Sequence, residues 1–195
     1  MTVAPFILAS ASPRRKALLG LIGVTPDKII SSDIDESPRA NELPRDLALR
    51  LAQEKALSVA ARHVDAFVLG SDTVVGCGRR IFPKAEDEQT ERDCLKILSG
   101  RTHRVFSGVA LVYPDATVSA RIVETRVKVR RLEDKAIDEY IASGEWDGKA
   151  GGYAIQGLAA AWIRLLGGSY SNIVGLPLFE VSGWLQNEGL FPNIA

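Results

Sequence analysis

Near the start of the chain, Ser10-Ala11-Ser12-Pro13-Arg14-Arg15 puts two guanidinium groups in the first turn of an expected helix. The positive end of a helix dipole disfavours cations by about 0.3–1 kcal/mol each. A bound anion resolves that conflict, because free backbone N–H groups and both guanidiniums can converge on it. Phosphate is the natural candidate, and two solvated arginines on an exposed turn are the alternative. A second signal is Gly70-Ser71-Asp72-Thr73, which follows an apolar run at 66–69. An acid just past the end of a buried strand stands where ligands gather in open α/β sheets. Asp72 there can hold Mg²⁺, accept a proton from water, or simply cap a turn.

Other residues add to this set. Asp33, Asp35 and Glu36 supply oxygen ligands of the kind hard cations prefer, or else decorate a solvated loop. Lys55 and Lys84 can neutralise phosphate or decorate the surface. The segment 149–157, KAGGYAIQG, combines glycines that let backbone approach a ligand with Gln156, whose amide both donates and accepts. Its alternative is a flexible connection. Several chemistries lack their signatures: no phosphate-binding G-x-x-x-x-G-K-[ST], no G-x-S-x-G, and no metal-ligand pattern around His63 or His103.

The elements expected to carry these residues are strands mixed with helices. A short apolar strand at 6–9 feeds a helix that Ser12 caps, Pro13 begins and Gly23 ends. Residues 29–32 read as a second strand. Residues 44–62 repeat apolar positions at helical spacing, with Leu47 and Leu51, Ala48 and Ala52 on one side. Strand character returns at 73–75, and Gly76 with Gly78 marks a turn. A helix follows at 87–98, then a hairpin of strands 105–113 and 118–129 around Pro114 and Asp115. A helix at 133–143, a loop at 144–157, a strand at 160–165 and a closing helix at 177–185 complete the chain. The hairpin favours an α/β domain built on a mixed sheet over a purely parallel one.

With 195 residues and no linker, the chain reads as one domain over 1–195. Lys+Arg and Asp+Glu both number 24, and this zero balance argues against long nucleic acids as partners. Cys77 and Cys94 form neither a disulfide framework nor a zinc site, which suits a reducing compartment. Neither a signal peptide nor a run of ~18 apolar residues is present, so a cytoplasmic protein without a membrane partner is expected.

Four segments, in order, closely resemble motifs of the Maf family of nucleotide pyrophosphatases. They are LASASPRRKALL at 8–19, GSDTVV at 70–75, KAGGYAIQG at 149–157 and GSYSNIVGLPLFE at 168–180. The resemblance implies an α/β fold related to inosine triphosphate pyrophosphatases, with a mixed central sheet, flanking helices and two lobes around a cleft. It implies hydrolysis of a nucleoside triphosphate to monophosphate and pyrophosphate with a divalent metal, Mg²⁺ or Mn²⁺. Homodimers, clearance of nucleotide pools and, in some members, links to septum formation or division arrest also follow from it. Asp72 matches the family's proton acceptor and Glu36 an acidic position near the metal, with Asp72 a metal ligand as well. Arg14, Thr73 and Gln156 match positions tied to substrate choice. Ser10, Arg15, Lys55, Lys84 and Lys149 match polar positions along the phosphates. The motifs around Ser12-Pro13-Arg14-Arg15 and Gln156 look like the branch acting on dTTP and UTP. Gly148 and Ala85 depart from the aspartate and proline common at those places. A nucleotide-binding regulator without turnover, linked to division, is the competing expectation.

Overall fold

The structure is a computed structural model that describes residues 4–192, so the 1–195 domain reading extends three residues past it at each end, outside the described residues. One seven-stranded sheet runs through it in the order β2-β1-β3-β5-β6-β7, with β4 paired to β3. The strands are β1 (Phe6–Ala9), β2 (Lys28–Ile29), β3 (Phe67–Cys77), β4 (Arg80–Ile81), β5 (Thr102–Val112), β6 (Val118–Val129) and β7 (Ile163–Gly167). β1 is parallel to β2 and β3, whereas β3–β5, β5–β6 and β6–β7 are antiparallel. The helices are α1 (Pro13–Leu21), α2 (Pro44–Ala60), α3 (Glu88–Leu98), α4 (Asp134–Ser143), α5 (Tyr170–Val174) and α6 (Leu178–Asn187). This is the mixed α/β architecture expected of the sequence.

Both faces of the sheet are covered, so β1 and the first four residues of β3 are apolar at every position. Ile7, Ala9 and Val68 point to one face, where α2 packs; Phe6, Leu8 and Leu69 point to the other and join the larger core with Leu19, Leu95, Leu98 and Leu185. α2 lies unusually close to its strands. Ala48, Ala52 and Ala56 recur every four residues along one stripe and are fully buried. They meet Gly70 on β3 and Gly108 on β5. A Cβ on Gly70 would strike the Ala52 carbonyl and Ala56, and one on Gly108 would strike the Ala48 carbonyl. Small residues on both sides therefore let the helix backbone rest on the sheet, which brings Lys55 within reach of β3.

Three expectations need correction. Asp72 does not stand past a strand end: β3 continues unbroken through Gly70, Ser71 and Asp72, paired with β5 from Val68–Val112 to Gly76–Arg104. Glycine, serine and aspartate read locally as a turn, but the ladder to β5 and the seat for α2 hold them extended. The strand expected at 29–32 is only Lys28–Ile29, a short edge. The strand expected at 160–165 begins with a 3-10 turn, Leu158–Trp162, and pairs with β6 only at Ile163–Gly167. The short helix α5, inside the 168–180 motif, and the strand β4 had no expectation at all.

Candidate active site

The site is built where β1 gives way to α1, beside the middle of β3. Ser12 occupies the N-cap of α1 without making a side-chain capping bond, Pro13 opens the helix, and no acid stands in its first turn. Arg15 is buried, and Arg14 is half-buried. Neither forms an ion pair among the described residues, since every such pair involves other side chains. The Arg15 Nε–H donates to the Gly175 carbonyl at 2.9 Å, and its Nη1–H donates to Ser10 Oγ at 2.9 Å. Ser10 Oγ also accepts from the Ser12 N–H at 3.2 Å, leaving its own proton unspent. Burial draws the guanidinium of Arg15 below its ordinary range, partly opposed by the field of Asp72, and burial does the same to Arg14. An unpaired buried cation is costly, and it is the arrangement expected of a seat for an anion.

Facing the arginines is a chain of alternating charge. Lys55 Nζ lies 2.6 Å from Asp72 Oδ1 and 2.7 Å from Glu36 Oε1, and Lys84 Nζ lies 2.8 Å from Glu36 Oε2. Asp72 and Lys55 are buried, at 5% exposure each. Burial alone would raise the Glu36 carboxyl, yet hydrogen bonds and charge from Lys55 and Lys84 hold it down at about 2. Asp33 and Asp35 take no part in this cluster, and Asp35 instead accepts from the Ser37 N–H at 2.9 Å.

Arg14, Arg15, Lys55, Asp72, Thr73, Lys84 and Lys149 all line one cavity of about 510 Å³. The sequence thus placed seven of its ten candidates on a single surface. Ser10 stands directly behind, bonded to Arg15. Glu36 lines an adjoining hollow of about 610 Å³ that shares Asp72, Thr73, Lys84 and Ala150 with the first. Gln156 is exposed and lies outside both linings. Thr73 Oγ1 is 2.9 Å from Ser107 Oγ on the neighbouring strand.

The loop after α4 forms the far wall. Ala150 bridges Lys84 as an isolated antiparallel pair. The Ala85 N–H donates to the Lys149 carbonyl at 3.4 Å, and the Ala85 carbonyl accepts from the Gly148 N–H at 3.2 Å. The proline common at position 85 would lack that donor. Tyr153 lines the cavity and is fixed from behind, its hydroxyl 2.7 Å from Nε2 of the buried His103. Burial holds His103 down at about 4, so it is neutral near pH 7. His103 looked isolated in the sequence because its partner is fifty residues away.

Metal chemistry can be weighed on the donors present. Among the described residues no group of three or more His, Cys, Asp or Glu side chains converges. Asp72 and Glu36 nevertheless send one oxygen each to the same point, at present shared with the Lys55 ammonium. Mg²⁺ commonly takes one or two carboxylates, with substrate phosphates and water completing its shell. The two carboxylates fit that pattern.

Residues 5–188 match the family model described as Maf-like protein. The dTTP/UTP pyrophosphatase of Gluconobacter oxydans (strain 621H) is 59% identical over 187 residues, covering 93% of this chain and 86% of that protein. The dTTP/UTP pyrophosphatase of Paramagnetospirillum magneticum (strain ATCC 700264 / AMB-1) is 56% identical over 190 residues, covering 97% of this chain and 100% of that protein. Among solved structures, a HAM1 protein from Coxiella burnetii superposes with a TM-score of 0.51 at 16% identity, covering 93% of this chain and 98% of that one, and shares the fold.

Proposed function

The chain belongs to the Maf family, and from that premise we propose that it hydrolyses nucleoside triphosphates to the monophosphate and pyrophosphate, with dTTP and UTP as substrates. The observation that carries this reading is the pair of unpaired arginines, Arg14 and Arg15, lining one cavity with the buried Asp72–Lys55 pair. A triphosphate brings the negative charge the arginines lack.

The chain's own groups divide the work. Arg14, Arg15 and Lys149 hold phosphate oxygens and stabilise the charge that grows on them during anhydride cleavage. Ser10 donates its unspent proton to the same anion. Asp72 orients the attacking water and accepts its proton, and Lys55, 2.6 Å away, holds the Asp72 carboxylate in place. Lys84 draws Glu36 toward Lys55. Thr73 and Gln156 contact the nucleoside. Asp72 and Glu36 would hold a Mg²⁺ or Mn²⁺ ion, which would supply Lewis-acid neutralisation of the phosphates.

The same reading carries a homodimer in a reducing cytoplasm, acting to clear nucleotide pools. Cys77 and Cys94 are both free, no helix among the described residues is long and apolar enough to cross a membrane, and Phe179 leaves 82% of its surface exposed. Sedimentation gives the oligomeric state.

Incubating the purified protein with dTTP, UTP, CTP and GTP in Mg²⁺ tests the function. Pyrophosphate and monophosphate in equal amounts, fastest from dTTP and UTP, are expected. Orthophosphate as the product, or tight nucleotide binding without any product, overturns the reading.

A further inference from the structure

The segment 168–180 resembles a family motif yet contributes only backbone and apolar contacts to the cavity, and its role is not explained by the chemistry above. Its polar groups form a buried network behind the arginines. Asn172, fully buried, donates from Nδ2 to Thr125 Oγ1 at 2.9 Å and to the Val105 carbonyl at 3.2 Å. The Asn172 carbonyl accepts from Ser107 Oγ at 2.9 Å. Ser71, also fully buried, shares its hydroxyl proton between the carbonyls of Gly108 at 2.9 Å and Gly175 at 3.1 Å. Three residues beyond Asn172, the Gly175 carbonyl also accepts the Arg15 Nε–H.

Gly175 has a φ of +130°, a conformation that L side chains rarely adopt. That backbone turn is held from two sides: β3 through Ser71, and β5 and β6 through Asn172. Its product is one carbonyl in a fixed place, and that carbonyl together with Ser10 Oγ takes two donors of the Arg15 fork on different nitrogens. Two such bonds fix a planar guanidinium in orientation as well as position. The remaining N–H groups are left for a ligand.

We propose that Ser71 and Asn172 are positioning residues that act through the Gly175 carbonyl to orient Arg15 toward the phosphates. The proposal rests on the reading of Arg15 as a phosphate ligand. Positioning of this kind raises affinity and rate without a direct contact, because a guanidinium already aligned loses less freedom when the anion arrives.

A double-mutant cycle of Ser71→Ala with Arg15→Lys separates positioning from a merely structural role. Binding of a non-hydrolysable α,β-imido UTP analogue and kcat/KM for UTP are both measured. Loss of a buried hydroxyl bond that aligns a ligand-binding group should weaken binding by roughly fivefold to tenfold in the native background. In the Arg15→Lys background, which lacks the forked donor, the same change should cost less than about twofold. Asn172→Ala, which frees the segment from β5 and β6, should repeat the pattern if Ser71→Ala folds poorly. Equal losses in both backgrounds, or no loss in the native one, overturn the proposal. Retained analogue binding with no turnover of any nucleotide overturns the hydrolase reading instead and leaves the binding cycle to decide this one.

Discussion

Lys55 on α2 lies 2.6 Å from Asp72 on β3, and both side chains are buried. The contact exists because the alanine stripe of α2 sits on Gly70 and Gly108, where any Cβ would push the helix away. Packing and chemistry are here one arrangement. The helix that closes the core also carries the cation that compensates the acid. Changing Asp72 to Asn keeps shape and burial but removes the proposed proton acceptor and proposed metal ligand. Pyrophosphate release from UTP with Mg²⁺ should fall by about 10²–10⁴-fold, the range of a lost general base. Near-normal release would remove Asp72 from the mechanism.

Lys55→Met makes a different prediction. It leaves Asp72 and Glu36 converging without their shared counter-charge. Removing one partner of a buried pair costs about 3–5 kcal/mol, and Glu36, 36% exposed, should bring the loss to the lower end. Urea unfolding should show this as a lower midpoint with an unchanged slope. Mg²⁺ should then raise the melting temperature of the variant more than that of the native protein, since the cation supplies the missing charge. An equal response to Mg²⁺ in both would count against metal binding at this pair.

A third prediction concerns pH. Glu91 on α3 is fully buried, neither carboxyl oxygen has a hydrogen-bond partner among the described residues, and Gly152 packs directly against it. Burial raises its carboxyl to about 8, against 4.5 for the free side chain. Between these values the folded protein keeps a proton that the unfolded chain has lost. Stability therefore falls as pH rises from about 4.5 to about 8 and levels off beyond. Glu91→Gln is neutral throughout, so it should melt higher than the native protein at pH 8, with the gap closing toward pH 5. Thermal melts across that range check it. A gap independent of pH would mean that Glu91 is paired or solvated.

Much of this was legible in the residues themselves. β1, α1, α2, α3 and the β5–β6 hairpin followed from apolar spacing, Pro13 and the glycines that end helices. The arginines of α1 raised an anion as one of two readings through their conflict with the helix dipole, a local property, and the structure places both on one cavity. What stayed hidden depended on distant partners. Asp72 was placed past a strand end because the pairing with β5 that extends it lies in another part of the chain. Lys55 could be singled out in the sequence, but its pairing with Asp72 could not be read there, because it depends on α2 being seated on Gly70. His103, Ser71 and Asn172 have ordinary neighbours in sequence, and their bonds to Tyr153, Gly175 and Thr125 span from 47 to 104 positions. Residue type and motif spacing carried the chemistry, and tertiary packing decided which polar groups were buried.

Gln156 presents the last prediction. Its side chain is exposed and lines neither hollow, yet its loop forms the cavity wall through Lys149, Ala150 and Tyr153. An amide donates and accepts at once, and a uracil or thymine edge offers both partners. Gln156→Glu removes the donor and adds charge while leaving the buried Tyr153–His103 contact that anchors the loop. The ranking of dTTP, UTP, CTP and GTP by kcat/KM should therefore change. Pyrimidines with an exocyclic amine should gain on UTP by several-fold, within the about 1–3 kcal/mol of a hydrogen bond made or left unpaired. Melting temperature should stay constant, since an exposed position away from buried contacts shifts stability by less than about 0.5 kcal/mol. An unaltered ranking would assign base selection to Thr73 and the cavity wall, with Gln156 a surface residue.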